Sequence, residues 1–426
     1  MIRVTIEKLV FGGQGLGRAD NKVILAWNAL PEEEVEVEIR RDRRTYTEGI
    51  ARTILQPSPH RIAPEEDHFL SCGPWQILSW DQENLWKERI ARETFSRIGH
   101  VPDAVPFEII SQSDRQYYYR NKVEYRFTLD ERKRLSLAFF QRGTHEAAPI
   151  TCCKLAEPQI NEAAATVLNW LNAHPTPVEL LKSVTVRSDN SNHVLVALFV
   201  RAPLRIVSPP PLNETMVGFH VYVSSSESDT APSGKLVYSL GQDSLSATLI
   251  NTTLKFGPLT FFQVNVPLFE RVLDDIAGFL DPEKPVVDYY AGVGAICLPL
   301  SDRFKECLLV ERHREAISYA EQNIQANRLS HCVATQMPAE KITEFITPDR
   351  VIVFDPPRAG LHRSIVQRIL ADKPLRIIYL SCNLSTQARD IRMLQSAYEI
   401  KFLRLYNFFP RTAHIEGLCV LDRRSV

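Results

Sequence analysis

No charge of either sign dominates this chain: 50 Lys and Arg stand against 51 Asp and Glu, a net charge of −1. That balance excludes a protein that holds polyanions by bulk charge, while leaving room for a local basic patch. Cysteine is scarce as well. Cys72, Cys152, Cys153, Cys297, Cys307, Cys332, Cys382 and Cys419 are scattered over 426 residues, and no two stand in the C-x-x-C spacing of zinc or redox motifs. The N-terminus, MIRVTIEKLV, carries charge throughout and lacks the apolar core of a secretion signal. Without such a signal a disulfide framework is not expected in a chain this long, and most of the cysteines read as small buried apolar residues. Long apolar runs are missing too. The longest, Val194 to Val200, is strand-sized, far below the roughly 18 residues of a membrane span. The expectation is a cytoplasmic, monomeric protein with no membrane segment.

What is present divides into three stretches, as the length suggests. Residues 1–56 read as a small β-barrel, with VTIEKLVF, KVILAWNAL and EEVEVEIRRD alternating like strands between glycine turns. FGGQGLGR has the look of a phosphate loop, but no helical pattern follows it, so it reads as a turn between strands. Residues 57–244 open on a proline-rich linker and an amphipathic helix at 80–98, with Leu85, Ile90 and Phe95 near one stripe. Strands such as KVEYRFTLD and KSVTVRSD follow, with a helix around EAAATVLNWL and surface loops at Pro203, Pro209–Pro211 and SSSESD. This middle region reads as α+β. In residues 245–426 the short apolar runs PVVDYY, ECLLVE, RVIVFD and RIIYLS alternate with helical stretches. That pattern signals a parallel sheet with crossover helices, an α/β fold. Residues 401–408 and 417–423 read as a terminal antiparallel pair.

The chemistry-bearing residues lie in this last region. PVVDYYAGVGAICLPL places a glycine turn after a buried strand, with Asp288 closing the strand and Gly292 and Gly294 allowing a ligand close to the backbone. About 20 residues on, a second strand ends in Glu311, placed to bond the hydroxyls of a ribose. The turn is D-Y-Y-A-G-V-G and not G-x-G-x-x-G, which suits S-adenosylmethionine better than a dinucleotide, since no pyrophosphate needs a cradle. FDPPRAGL, YLSCNLSTQARD and FFPRTAHIEG then bring Asp355, Cys382 and Glu416 to the ends of strands, where open α/β sheets bind ligands. Each alone has a bland reading: a turn residue, a buried cysteine, a solvated carboxylate. Together they make a nucleophile, a second acid and a base. Such a set suits methylation at carbon 5 of uracil, which attacks a sulfonium methyl only after a thiolate has added at carbon 6.

At these motifs the chain resembles the bacterial uracil-5 RNA methyltransferases. YRNKVEYRF, FFQVN, DYYAGVG, DPPRAG, SCNLST and FPRTAHIE follow the family's order over almost the whole chain. The resemblance implies a Rossmann-like class I methyltransferase domain at 245–426 and a TRAM-like, OB-like barrel at 1–56. It implies S-adenosylmethionine held by Gln263, Tyr290, Gly292, Glu311 and Asp355. It makes Cys382 the nucleophile and Glu416 the base, with Asp355 also orienting the uracil. The substrate it implies is a uridine in 23S ribosomal RNA or the T-loop of transfer RNA. The N-terminal barrel favours the former. An inactive RNA-binding descendant of the family is the alternative. The chain departs from the family twice. Many members carry four cysteines for an iron–sulfur cluster. Here Glu66 and Trp75 stand at two of those places, leaving Cys72 and one of Cys152 or Cys153, so neither a cluster nor any other metal is expected. Leu384 also replaces the proline of SCNP, which leaves the shape of that loop open.

A basic stretch completes the reading. Between 115 and 142 eight Arg and Lys face three Asp and Glu, with Tyr117, Tyr118 and Tyr119 interleaved. Arg120, Lys122, Arg132, Lys133 and Arg134 are the candidate RNA contacts, with Arg40, Arg41, Arg43 and Arg44 a weaker set.

Overall fold

The structure is a computed structural model that describes residues 1–102, 104–144, 146–174, 176–224 and 234–424. Five strands open the chain: β1 (Ile2–Leu9), β2 (Gly15–Ala19), β3 (Lys22–Trp27), β4 (Glu34–Asp42) and β5 (Tyr46–Gln56). They close into a barrel in the order β1-β2-β3-β5-β4. Alternation sends Val4, Ile6, Ile24, Ala26, Val35 and Val37 inward, while charged neighbours face out. FGGQGLGR is the expected turn: Gly13 donates to the Val10 carbonyl at 2.8 Å and no helix follows.

A short helix α1 (Phe69–Cys72) leads to α2 (Trp80–Arg97). Of the expected stripe, Ile90 and Phe95 are buried but Leu85 is exposed. Glu83 and Lys87 take its place inside. This face of α2 lies over the loop after a late strand, and that loop presents backbone polar groups rather than apolar side chains. Glu83 accepts from Lys87 Nζ at 2.8 Å and from the Arg411 amide at 3.0 Å. Lys87 donates on to Asn407 Oδ1 at 2.6 Å and the Phe409 carbonyl at 3.1 Å.

The middle region continues with β6 (Ser111–Gln112), β7 (Lys122–Leu129), β8 (Leu135–Phe140), β9 (Ala147–Ile150), α3 (Pro158–Ala173), β10 (Leu181–Ser188), β11 (Val194–Val200), β12 (Met216–Val223) and β13 (Lys235–Gly241). Strands β7 to β13 form one sheet, ordered β13-β12-β11-β10-β7-β8-β9, with α3 packed into its core. SSSESD from residue 225 onward lies outside the described residues. The segment from α2 to β6 packs elsewhere: Ala91, Phe95, Val101 and Ile110 join the core of the C-terminal sheet, and β6 pairs with its edge.

The hairpin β14 (Leu245–Leu249) and β15 (Thr252–Phe256) precedes α4 (Val266–Ala277), β16 (Pro285–Tyr289), β17 (Glu306–Glu311), α5 (Arg314–Ala326), β18 (Cys332–Gln336), β19 (Val351–Phe354), α6 (Arg363–Asp372), β20 (Arg376–Ser381), α7 (Leu384–Leu394), β21 (Tyr398–Asn407) and β22 (Glu416–Arg423). The sheet order is β18-β17-β16-β19-β20-β22-β21-β6. The four apolar runs form its centre as parallel strands, and the terminal pair is antiparallel. Strand β18, CVATQ, is too short and too polar to stand out in the sequence. The order reverses between β16 and β19, which opens a crevice at their carboxyl ends. No helix is long and apolar enough to cross a membrane.

Replacing Lys87 by alanine takes from the buried Glu83 its hydrogen-bonded cation, leaving Arg411 3.7 Å away, and leaves Asn407 Oδ1 and the Phe409 carbonyl without their donor. Loss of one partner of a buried pair costs about 3–5 kcal/mol. We expect Lys87→Ala to lower the unfolding free energy by about that amount in urea denaturation, and Lys87→Met with Glu83→Gln to cost no less, because the buried Arg411 then loses its carboxylate.

Candidate active site

Four strand ends build the site. Tyr290 follows β16 and Asp355 follows β19, side by side, since Tyr289 and Phe354 are register partners. Cys382 follows β20. In the antiparallel pair of β20 and β22, Ser381 faces Gly417, so Cys382 comes next to Glu416, the first residue of β22. Gln263, from the loop before α4, donates its amide to Asp355 Oδ2 at 3.2 Å.

The glycine turn is held against β17. Tyr290 and Ala291 donate their amides to the Val310 carbonyl at 2.9 and 3.1 Å. Tyr290 and Gly292 have φ of 65° and 59°, and a side chain at Gly292 would meet nothing within 4 Å, so the backbone there lies open to a ligand. Gly292 donates to Glu311 Oε2 at 3.1 Å and His313 to Oε1 at 2.7 Å. The carboxylate is thus fixed at the strand end, with lone pairs left for a diol.

Cys382 is half-buried and Glu416 buried. Ser381 Oγ accepts from the Asn383 amide at 3.1 Å, and Asn383 caps α7 by accepting from Ser385 N at 3.1 Å. Leu384 therefore begins a helix, the position proline favours, and its side chain is buried in the core beneath. The substitution leaves an ordinary helix start. Asn383 and Thr386 also donate to the Arg358 carbonyl, at 2.9 and 3.2 Å, which ties the Asp355 loop to the cysteine loop.

The electrostatics are unusual. Burial pushes Asp355 up to about 7 and Glu416 well above the ordinary carboxyl range, the latter helped by Asp355. Burial pushes the Cys382 thiol up to about 11, with Glu416 and Asp355 adding to the rise and Arg358 opposing it. Asp288, inside β16, is wholly buried with neither oxygen hydrogen-bonded among the described residues, and burial raises it to about 8. So many crowded acids favour a cation in the crevice, and they keep Cys382 a thiol until one arrives. Asp288 was not among the expected site residues. Its signal was a carboxylate inside an apolar strand. His414, beside Glu416 in sequence, is pushed down to about 4 by burial and by Arg358, so it is neutral at physiological pH.

The sequence model described as tRNA (Uracil-5-)-methyltransferase matches residues 242–424, and that of the TRAM domain matches residues 1–51. The C-terminal part of the chain, residues 242–424, is thus of the uracil-5 methyltransferase type. Relatives named as uncharacterized RNA methyltransferases include those of Nitratidesulfovibrio vulgaris and Aquifex aeolicus. Both are 29% identical, aligned over 99% of this chain and over 96% and 98% of their own. The tRNA (uracil-54, C5)-methyltransferase of Pyrococcus abyssi, solved with S-adenosyl-L-homocysteine, shares the fold. Its TM-score is 0.79 at 22% identity, over 99% of this chain and 100% of that one. The protein is an S-adenosylmethionine-dependent RNA methyltransferase. The crevice fits that cofactor: an open glycine backbone, a fixed carboxylate at the second strand end, and buried acids for a cationic sulfonium and ammonium.

The nominated RNA contacts do not form one patch. Arg120 lies over the Phe409 ring, 5.8 Å from its centre, next to the active-site loops. Lys122 faces Arg187 across β7 and β10, and burial with that cation pushes it down to about 7, which leaves it a weak phosphate ligand. Arg132, Lys133 and Arg134 sit exposed beyond the far end of β7, roughly 25 Å along the strand direction at about 3.3 Å per residue. Arg134 is paired with Asp130. In the barrel, Arg40 and Arg41 pair with Glu38 and Glu48. The degenerate cluster segment brings together two thiols, Cys72 and Cys153, while Cys152 is exposed and the Trp75 ring is buried, its Nε1 donating to the Gly13 carbonyl at 2.9 Å. Two thiols do not fit a cluster that needs four.

Two outcomes follow from this geometry. Glu311→Ala should weaken S-adenosylmethionine binding in calorimetric titration while RNA retention on filters stays near wild type; unchanged cofactor affinity would remove Glu311 from the site. The second concerns pH. A thiol near 11 leaves roughly one in a few thousand ionised at pH 7.5, so alkylation of Cys382 in the ligand-free protein should keep rising with pH towards 11. S-adenosylmethionine, with its sulfonium charge, should shift that profile to lower pH, and S-adenosylhomocysteine, which lacks that charge, should shift it less. Mass spectrometry of the alkylated peptide reads both. An equal shift would show that the cation is not what the acids answer to.

Proposed function

We propose that this enzyme forms 5-methyluridine through a covalent bond between Cys382 and carbon 6 of the target uracil. The observation that carries this reading is the pairing of Ser381 with Gly417, which sets a thiol and a buried carboxylate next to each other at the mouth of the cofactor crevice. S-adenosylmethionine supplies the methyl group. Gln263, Tyr290, Gly292, Glu311 and Asp355 hold it. Cys382 Sγ, once ionised, bonds to carbon 6, and the electrons of the 5,6 double bond move to carbon 5 and the carbonyl oxygen at position 4. Carbon 5 would then take the methyl group as the methyl–sulfur bond breaks, leaving S-adenosylhomocysteine. Glu416 accepts the carbon-5 proton, the double bond re-forms, and the bond to Sγ breaks. Burial raises the proton affinity of Glu416, so it accepts a proton avidly once ionised, and the positive charge of the bound sulfonium favours that ionised form. Asp355, held by Gln263, also orients the uracil. Arg120, beside the loop at Phe409, is placed to meet the phosphates of the target strand, and Arg132, Lys133 and Arg134 a more distant part of the same RNA.

We read the chain as three units, an RNA-binding barrel at 1–56, a central unit at 57–244 and the methyltransferase unit at 245–426, with α2 reaching from the second onto the third. The RNA we propose is 23S ribosomal RNA, on the strength of the barrel. The T-loop of transfer RNA is the second reading. The enzyme of Pyrococcus abyssi named for uridine 54 of transfer RNA aligns along its entire length, which keeps that second reading open. Mapping 5-methyluridine in cellular RNA with and without the gene separates them.

The chemistry has a distinct signature. Cys382→Ala should abolish methylation. Glu416→Gln keeps thiol addition and methyl transfer but removes the acceptor for the proton, so a methylated RNA–protein adduct should accumulate. The adduct should survive denaturing electrophoresis, depend on S-adenosylmethionine, and vanish in Cys382→Ala with Glu416→Gln. Wild-type turnover by Glu416→Gln without an adduct would assign the base to another group, and no adduct in either variant on any substrate RNA would favour a protein that only binds RNA.

A further inference from the structure

Where the cluster segment has lost its cysteines, the chain has gathered other donors. The side chains of Glu66, His68 and Cys72 offer ligand atoms that all lie within 4.8 Å of one another. Cys153, brought in from beyond β9, touches both the Cys72 thiol and the His68 ring. Glu66 Oε2 is 3.3 Å from Cys72 Sγ, and Glu66 Oε1 is 3.2 Å from His68 Nε2. A tetrahedral zinc site has metal bonds of about 2.3 Å to sulfur and 2.0–2.2 Å to nitrogen or oxygen, which sets ligand-to-ligand edges at about 3.3–3.8 Å. The two Glu66 separations are on that scale, and Cys153 stands beside this group of three, next to Cys72 and His68.

One atom points to a missing partner. His68 Nε2 is buried 3.2 Å from Glu66 Oε1, but among the described residues it makes no well-directed hydrogen bond. Such an atom costs free energy unless something binds it. The shell around the donors is built to orient them. Gln76 donates to Glu66 Oε2 at 2.8 Å, and the Lys154 amide to Oε1 at 2.6 Å. Asn161 grips the Cys153 backbone on both sides, at 2.8 and 3.0 Å, and Tyr125 donates to that asparagine at 3.0 Å. Metal sites are held in this way by outer hydrogen bonds.

We propose that Glu66, His68, Cys72 and Cys153 hold a single zinc ion in place of a cluster. Two thiolates, an imidazole and a carboxylate make a closed tetrahedral set for that ion, and no ligand position is left for water or substrate, so the role is structural. No zinc spacing is visible along the chain because Cys153 lies 81 positions after Cys72 and only the fold brings it near. The ion ties the turn at 66–72 to the start of α3. The same turn carries the Leu70 carbonyl, which accepts from Arg142 at 3.0 Å, and Arg142 lies over Trp27 of the barrel. Zinc therefore stiffens the joint between barrel and central sheet.

The test uses the full-length protein, purified under reducing conditions without chelator and reconstituted with Zn²⁺. Elemental analysis should find about one zinc per chain, and X-ray absorption at the zinc edge should show two sulfur and two nitrogen or oxygen neighbours at the distances above. Cys153→Ser and His68→Ala should each lose most of the metal, while Cys152→Ser, at the exposed neighbour, keeps it. The wild-type absorption spectrum stands even if a ligand variant fails to fold. Failure of the wild type to retain zinc overturns the proposal, as does a shell without two sulfurs, or equal retention by a folded Cys153→Ser. Iron with sulfide at the site, or a Cys72–Cys153 disulfide that persists in reducing buffer, overturns it too. None of these results bears on Cys382, so the site and the methyl-transfer reading stand or fall separately.

Discussion

The Glu83–Lys87 pair is the constraint on which the arrangement of the molecule depends. Both side chains are within 1% of fully buried, and each reaches into the segment 407–411. That segment is where three parts of the chain meet. Asn407 ends β21, Tyr119 of the central unit donates to the Pro410 carbonyl at 3.1 Å, and Trp75, packed against Leu9 and Leu30 of the barrel, donates its amide to the Arg411 carbonyl at 3.0 Å. Two opposite charges excluded from water are tolerated only when every donor and acceptor is met. Here they are met largely by backbone groups of one loop, so the loop has little freedom. It leads directly into His414 and Glu416.

Active-site geometry is thus inherited from a distant helix as much as from the sheet. The sheet supplies the parallel ends that place Tyr290, Asp355 and Cys382. The loop locked by α2 supplies Glu416 on an antiparallel strand, facing the cysteine. Neither half alone sets a thiol next to a buried carboxylate. The cost is a crevice crowded with buried acids whose protons are held tightly, and the sulfonium cation of the cofactor is the natural counterweight. On the proposed reading, order of binding has an electrostatic basis: Cys382 stays a thiol in the empty crevice, where a thiolate would only be open to oxidation.

A comparable economy of position shows in the segment 66–75. Trp75, at a place the family gives to a thiolate, fills the joint with the barrel instead, and His68 and Glu66 turn towards the remaining cysteines. A joint stiffened by an iron–sulfur cluster in one lineage can be stiffened by hydrophobic packing and a smaller ion in another, as long as barrel and central sheet stay in register.

The sequence by itself determined the α/β architecture, because short continuous apolar runs alternating with helical stretches leave few other arrangements, and it placed Cys382, Asp355, Glu311 and Gly292 at strand ends. These are local facts: a strand, then a turn, then a polar residue. It also determined that FGGQGLGR is a turn, since no helix follows. What it did not contain was any property that depends on which elements become neighbours. The apolar stripe on α2 gave way to Glu83 and Lys87 because the surface it meets is backbone and not side chain. Lys122 is a poor phosphate ligand because β10 sets Arg187 opposite it. Arg120 and the 132–134 turn, close in sequence, are held at opposite ends of an extended strand. Asp288 and the four donors at Cys153 acquire meaning only from burial and proximity, which are sums over the whole chain and are written in no single segment of it.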